Sequence, residues 1–237
     1  MKKSLSRDAI KYIAVFAMLL DHIAWTFLPF GTAVSQVFHS FGRITAPVMC
    51  FFISEGYVYT KSKKKYMLRL FVFALISQIP WYLMRGEFFT LSFSMMFTLF
   101  LSLLAVHIFA TADNKTEKVI YIAFFCLLSL FCDWLFFAPL WCVCFYKYRE
   151  NEKMKYLSFS VIGLMYFLFT LASNVSVESI TFQNALLSSL YTLGVFLSIP
   201  LLMSYNGKKG KYKASKWIFY FFYPLHMAVL GLIKMFI

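Results

Sequence analysis

Apolar residues run along this chain in long blocks that short polar stretches interrupt. Blocks at 10–30, 42–60, 66–84, 89–110, 118–131, 134–146, 155–172, 184–203 and 216–236 are mostly of the length, about 20 residues, that a helix needs to cross a bilayer. The pattern predicts an all-α polytopic membrane protein with nine transmembrane helices, and the blocks follow one another too closely for a soluble domain to fit between them. One integral membrane domain, 1–237, is expected. The first block could also be read as a signal peptide, since it has a basic start and small residues at Ala33, Val34 and Ser35. Asp21 and His22 interrupt its apolar run, which argues for a retained helix.

Composition supports the same class. Of 237 residues 61% are hydrophobic and 14% charged, with 30 Phe and 15 Tyr, far from the make-up of a soluble domain. The formal charge of +13 could suggest nucleic acid as a partner, but the cations form neither a tail nor one face of a helix. They sit between the apolar blocks. With nine crossings and the N-terminus inside, the inner side collects Lys2, Lys3, Arg7 and Lys11, the cluster at 61–69, Lys115 and Lys118, the group at 147–155 and the group at 208–216. Of the 23 lysines and arginines, only Arg43, Arg85 and Lys234 then face outward, as the positive-inside rule requires. Blocks 118–131 and 134–146 are short for two crossings. Merging them into one would turn the basic groups at 147–155 and 208–216 outward, so a tight helical hairpin turning at Cys132 and Asp133 is expected.

The five cysteines lie in or beside apolar blocks. Cys142 and Cys144 are two apart and would point in different directions on a helix, so core packing is expected rather than a metal site. Asn174, Val175 and Ser176 form a glycosylation triplet that nothing else in the sequence supports.

Ionisable residues inside apolar blocks are the candidates for chemistry, because hydrocarbon excludes them unless they work. Lys11 and His22 are eleven residues apart, about three helical turns or roughly 16 Å, and so share a face. A cation at the membrane surface below a buried imidazole suits a ligand with a charged head and a reactive end. The plainer alternatives are a Lys11 that snorkels as an anchor and a His22 that bonds a neighbouring helix. His226, ten residues beyond Lys216, falls near the level of His22, with Tyr223 on its face and Pro224 between them. Asp21 adjoins His22 but points about 100° away, so the group that orients the imidazole is expected from another helix, with Asp133 or Tyr223 as candidates by depth. Arg43 begins the second block, and Glu55 lies deeper in it, either as part of a site or in an ion pair with Arg69 or a lysine of the 61–69 cluster. His39, in the first outer loop, and His107 read as wetter and less committed.

Four runs together resemble the TraX family: Lys11 to Ile23 with Asp21-His22; Phe41-Gly42-Arg43-Ile44-Thr45-Ala46-Pro47 leading into Ser54-Glu55-Gly56-Tyr57; Tyr66-Met67-Leu68-Arg69-Leu70 with Ile76-Ser77-Gln78-Ile79-Pro80; and Phe219 to His226. The resemblance implies a bacterial inner-membrane acyltransferase, the family's named member acetylating the N-terminus of conjugative pilin. The spacing of a basic residue and His22 also resembles the acyltransferase-3 group, in which that histidine is held catalytic and acyl-CoA the donor. Asp133 is followed by Trp134 and Leu135, a departure from the turn usual in the family. On this expectation acetyl-CoA is the donor, its phosphates met by Lys11, Lys61, Lys65 and Arg69 with Glu55 nearby. His22 would act as general base or as nucleophile, with Asp21, Arg43, His226, Tyr223 and Asp133 stabilising charge or positioning the acceptor. That acceptor would be a pilin-like protein or an envelope molecule, and neither metal nor nucleic acid is expected. The rival reading is a proton-coupled transporter, which commonly shows paired halves; no internal repeat is visible. A scaffold would leave His22 dispensable.

Overall fold

Local signals start and stop the helices where expected. Ser6, Thr32, Ser62, Asn114 and Thr181 each accept a hydrogen bond from a backbone N–H three residues on, satisfying donors that a helix start leaves open. Gly86, left-handed at φ 75°, ends one helix as only glycine does at no steric cost. In the computed structural model, which describes residues 3–88, 90–177, 179–210 and 215–236, the helices are α1 (Arg7–Phe27), α2 (Ala33–Gly42), α3 (Thr45–Tyr59), α4 (Lys63–Arg85), α5 (Met95–Thr111), α6 (Lys115–Leu128), α7 (Phe137–Lys147), α8 (Glu152–Val175), α9 (Phe182–Ser189), α10 (Ser198–Met203) and α11 (Ser215–Met235). A 3₁₀ stretch, Leu190–Leu197, joins α9 to α10. No strand is present among the described residues, so the protein is all-α. Lys2, Lys211 and Lys213, counted among the inner cations, lie outside the described residues, as does the side chain of Lys216.

Among the described residues six helical segments are long and apolar enough to cross a membrane: Arg7–Phe27, Ala33–Tyr59, Lys63–Arg85, Glu152–Val175, Phe182–Met203 and Trp217–Met235. Three of the nine expected crossings are shorter. α5 has 17 residues, α6 has 14 and α7 has 11, so even α5 spans only about 25 Å against a hydrocarbon core of about 30 Å. α6 has no buried residue and is apolar on its exposed sides, whereas most of α7 is buried. The turn between them, near Cys132 and Asp133 as expected, is fixed by Phe93 pairing with Cys132 and by left-handed backbone at Trp134 and Leu135.

The exposed surface is that of a protein solvated by lipid. On α1 the outward residues include Tyr12, Ile13, Phe16 and Trp25, while Asp21 and His22 are buried, the inverse of a soluble amphipathic helix. The chain forms two compact units, the first comprising Met1–Val48 and Ser160–Phe219, the second Met49–Phe159 and Tyr220–Ile237. In the first, α2 packs on α1 and on the 190–197 stretch. Close approach there depends on glycine: a Cβ on Gly194 would collide with the carbonyl oxygen of Ser40. The N-terminal residues are tied to the 204–208 loop by Leu5 N–H to Ser204 O and Arg7 N–H to Lys208 O, both 3.0 Å. In the second unit α5 packs against α4, α6 and α7. The cysteines are free thiols, with Cys50 and Cys142 buried side by side, Cys142 Sγ donating to Cys50 O at 3.5 Å.

Candidate active site

The segment expected as a wet outer loop is helix α2, and it brings His39 into the interior, 1% exposed. Residues 35, 39 and 42 are its buried positions, one helical face at i, i+4 and i+7. Opposite them on α1 stands Asp21. Its Oδ1 lies 2.7 Å from His39 Nδ1, and its Oδ2 accepts from an Arg43 terminal nitrogen, also at 2.7 Å. The other terminal nitrogen of Arg43 donates to the Tyr166 hydroxyl at 3.1 Å, and the guanidinium lies 5.2 Å from the Tyr191 ring centre. Gly42 makes room for this: a Cβ there would fall 2.8 Å from Asp21 Oδ1. A carboxylate can only accept, so His39 carries its proton on Nδ1 and presents Nε2 as the basic nitrogen. Nε2 is buried with no hydrogen-bond partner among the described residues.

His22 is buried on α1 beside this network, within electrostatic reach of Asp21, Arg43 and His39. Lys11 is on the same helix, with its ammonium 5.2 Å from the Phe219 ring centre. The first unit thus joins Asp21, His22 and Arg43 of the expected residues and adds His39, Tyr166 and Tyr191. The carboxylate beside His22 in sequence orients His39, because a 100° step turns the Asp21 side chain toward α2. Arg43, expected to stabilise an oxyanion or to position the acceptor, places its terminal nitrogens on Asp21 and Tyr166.

The second unit holds the remaining candidates. Tyr223 accepts a hydrogen bond from Met95 N–H at 3.1 Å, capping α5, whose own N-cap Ser94 makes no side-chain cap. His226 Nδ1 lies 2.7 Å from Phe222 O; a carbonyl only accepts, so the proton is again on Nδ1. Its ring meets that of Tyr223 edge-on at 5.7 Å. Asp133 belongs to the hairpin turn: its N–H donates to Phe93 O at 2.8 Å, its carbonyl accepts from the Thr98 hydroxyl, and Oδ1 accepts from Trp134 N–H at 3.2 Å. Both residues expected to orient His22 are therefore engaged in helix and turn geometry. Arg69 is stacked between the rings of Tyr66 and Tyr220, at 5.4 and 5.3 Å. Lys61 and Lys65 are exposed. The basic side chains that act electrostatically on Glu55 are Lys155 and Arg149, where Arg69 or a lysine of the 61–69 cluster was expected. His107 bonds the Tyr57 hydroxyl at 2.9 Å.

Comparison with known proteins places the chain in a lineage. The family model described as TraX protein matches residues 6–234. The chain belongs to the TraX family. A curated relative, the probable fimbrial assembly protein FimC of serogroup H1 from Dichelobacter nodosus, is 30% identical over 239 residues, covering 96% of this chain and 95% of the relative. No solved structure matches.

The sequence missed His39 because polar residues at 35, 36, 39 and 40 read as a loop. The signal that could have found it is periodic. Apolar Val34, Val37 and Phe41 alternate with Ser35, His39 and Gly42 at helical spacing, behind Thr32 as a cap.

Proposed function

We propose that this protein is a membrane-embedded acyltransferase that takes an acyl group, acetyl in the first instance, from cytoplasmic acyl-CoA and passes it to an amine or hydroxyl of an acceptor from the cell envelope. The observation that carries the reading is the buried Asp21–Arg43–His39 network with His22 beside it. A carboxylate that fixes an imidazole tautomer next to a second histidine, in a site lined by aromatics, is equipment for moving protons. Membership of the TraX family and the fimbrial assembly relative support an acceptor of pilin-like or fimbrial type and a bacterial inner-membrane location, and the distribution of lysine and arginine along the sequence supports an N-terminus inside.

In this reading Lys11 meets a donor phosphate as a point charge at the inner end of α1. The pantetheine arm spans the roughly 16 Å to His22, which works at the thioester. The acceptor attacks the thioester carbonyl: a bond from carbon to nitrogen or oxygen forms, the carbon–sulfur bond breaks, and the acceptor's proton passes through a base to the departing thiolate. The purified protein in nanodiscs, given acetyl-CoA labelled in the acetyl group and a small amine acceptor such as glycinamide, is expected to release CoA and label the amine. No CoA release by the wild-type protein would count against the enzyme and favour a proton-coupled carrier, whose buried carboxylate, arginine and histidine would serve a proton path.

A further inference from the structure

Two histidines share the first unit's polar site, and geometry distinguishes them. Asp21 gives Oδ1 to His39 and Oδ2 to Arg43, both at 2.7 Å. The imidazole with a carboxylate behind Nδ1 is therefore His39. That arrangement fixes the tautomer, holds the ring, and stabilises the imidazolium formed when Nε2 takes a proton. Among the described residues Nε2 is buried with no hydrogen-bond partner, at a position where a purely structural histidine would find an acceptor or donor.

The setting also offers a way in. Three rings surround His39: Trp25 at 4.6 Å, Tyr191 at 5.6 Å and Phe30 at 5.7 Å between centres. Trp25 and Phe30 stack on each other yet are 50% and 49% exposed, so the cover is two side chains thick and open on its far side. Phe30 stands in the turn between α1 and α2, beside Gly31 at φ 91° with open space around it. Rotation of Phe30 and Trp25 about their side-chain bonds would open a path to the imidazole without moving a helix.

We propose that His39, held by Asp21, is the general base that takes the proton from the acceptor nucleophile, which leaves His22 to the donor thioester. The inference rests on the acyltransferase reading. As the acceptor nitrogen or oxygen bonds to the acyl carbon, its proton goes to His39 Nε2; as the carbon–sulfur bond breaks, the imidazolium returns that proton to the CoA thiolate, and acyl-CoA plus acceptor become acylated acceptor plus free CoA. Arg43 and Tyr166 act through Asp21 and are positioning residues.

The test measures CoA release from acetyl-CoA in nanodiscs, with glycinamide as acceptor, for the wild type and two variants. In His39→Asn the amide NH₂ stands where Nδ1–H stood and keeps the bond to Asp21, but no basic nitrogen remains. Turnover should fall about a hundredfold to ten-thousandfold, with the KM for acetyl-CoA and the melting temperature close to wild type. The loss should shrink when hydroxylamine, whose amine is already unprotonated at neutral pH, replaces glycinamide. In His39→Ala added imidazole should restore part of the rate by filling the vacated space. If the wild type releases CoA and His39→Asn matches it, His39 is not the base and the acyltransferase reading stands alone. A His39→Asn loss of equal size with hydroxylamine and glycinamide, together with no imidazole rescue of His39→Ala, would equally overturn the assignment. If the wild type itself releases no CoA, the underlying reading fails.

Discussion

Removing Asp21 should cost more than removing the arginine it holds. Arg43 is buried, and its ionic partner in the first unit is the Asp21 carboxylate at 2.7 Å. At an effective dielectric of about 20, two unit charges about 4 Å apart attract by about 4 kcal/mol, and breaking such a pair from one side costs about 3 to 5 kcal/mol because the other charge stays buried. Asp21→Ala strands the guanidinium against the Tyr166 hydroxyl and the Tyr191 face. Arg43→Ala still leaves the carboxylate bonded to the Nδ1–H of His39, so the charge left behind keeps a hydrogen-bond donor. At about 2 to 4 °C per kcal/mol for a chain of this size, Asp21→Ala should lower the melting temperature by about 6 to 20 °C, and Arg43→Ala by less. The double variant should melt near the less damaged single, since neither charge is then stranded. Unfolding in detergent can be followed with a thiol-reactive dye, because Cys50 and Cys142 are free and buried. Additive losses in the double variant, or a milder loss for Asp21→Ala than for Arg43→Ala, would refute the pairing as drawn.

Two further outcomes follow from close contacts. Gly42→Ala drives a Cβ into the Asp21 side chain, so it should destabilise by about 1 to 3 kcal/mol and slow CoA release as well; an unchanged melting temperature would mean that α1 and α2 are farther apart than described. Tyr223→Phe removes the acceptor for Met95 N–H and should cost about 1 kcal/mol while leaving CoA release within a few fold, whereas a hundredfold loss with stability intact would return Tyr223 to the chemistry.

The helical segments were largely legible, because a lipid-solvated helix needs only length and apolar composition to declare itself. Each expected block has a helix in it. What length could not decide is how the short ones end: α6 is exposed throughout and α7 mostly buried, a difference set by neighbours and not by hydropathy. α2 escaped for the opposite reason. In water a run with Ser35, Gln36, His39 and Ser40 is a loop, but inside a bilayer polar residues belong on the inner face, and their 3.6-residue period is the helical signal. The same inversion explains the fate of Asp21. Its adjacency to His22 is a fact of sequence, while its partner was set by which helix packs on α1, and that depends on Gly42 and Gly194 allowing backbones to approach.

An ion pair in an apolar interior is a poor way to gain stability, since a well-packed apolar replacement is often neutral or better. The Asp21–Arg43 pair is therefore explained by what else it holds in place. Arg43 secures the second oxygen of Asp21 and is itself secured by Tyr166, which leaves the first oxygen aimed at His39 Nδ1. Remove the arginine and the carboxylate gains freedom to turn or to take a proton. With a neutral carboxyl the preference for Nδ1–H weakens, and with it the basicity of Nε2. The cost of burying Arg43 is thus tied to His39 Nε2, a buried imidazole nitrogen with no hydrogen-bond partner among the described residues.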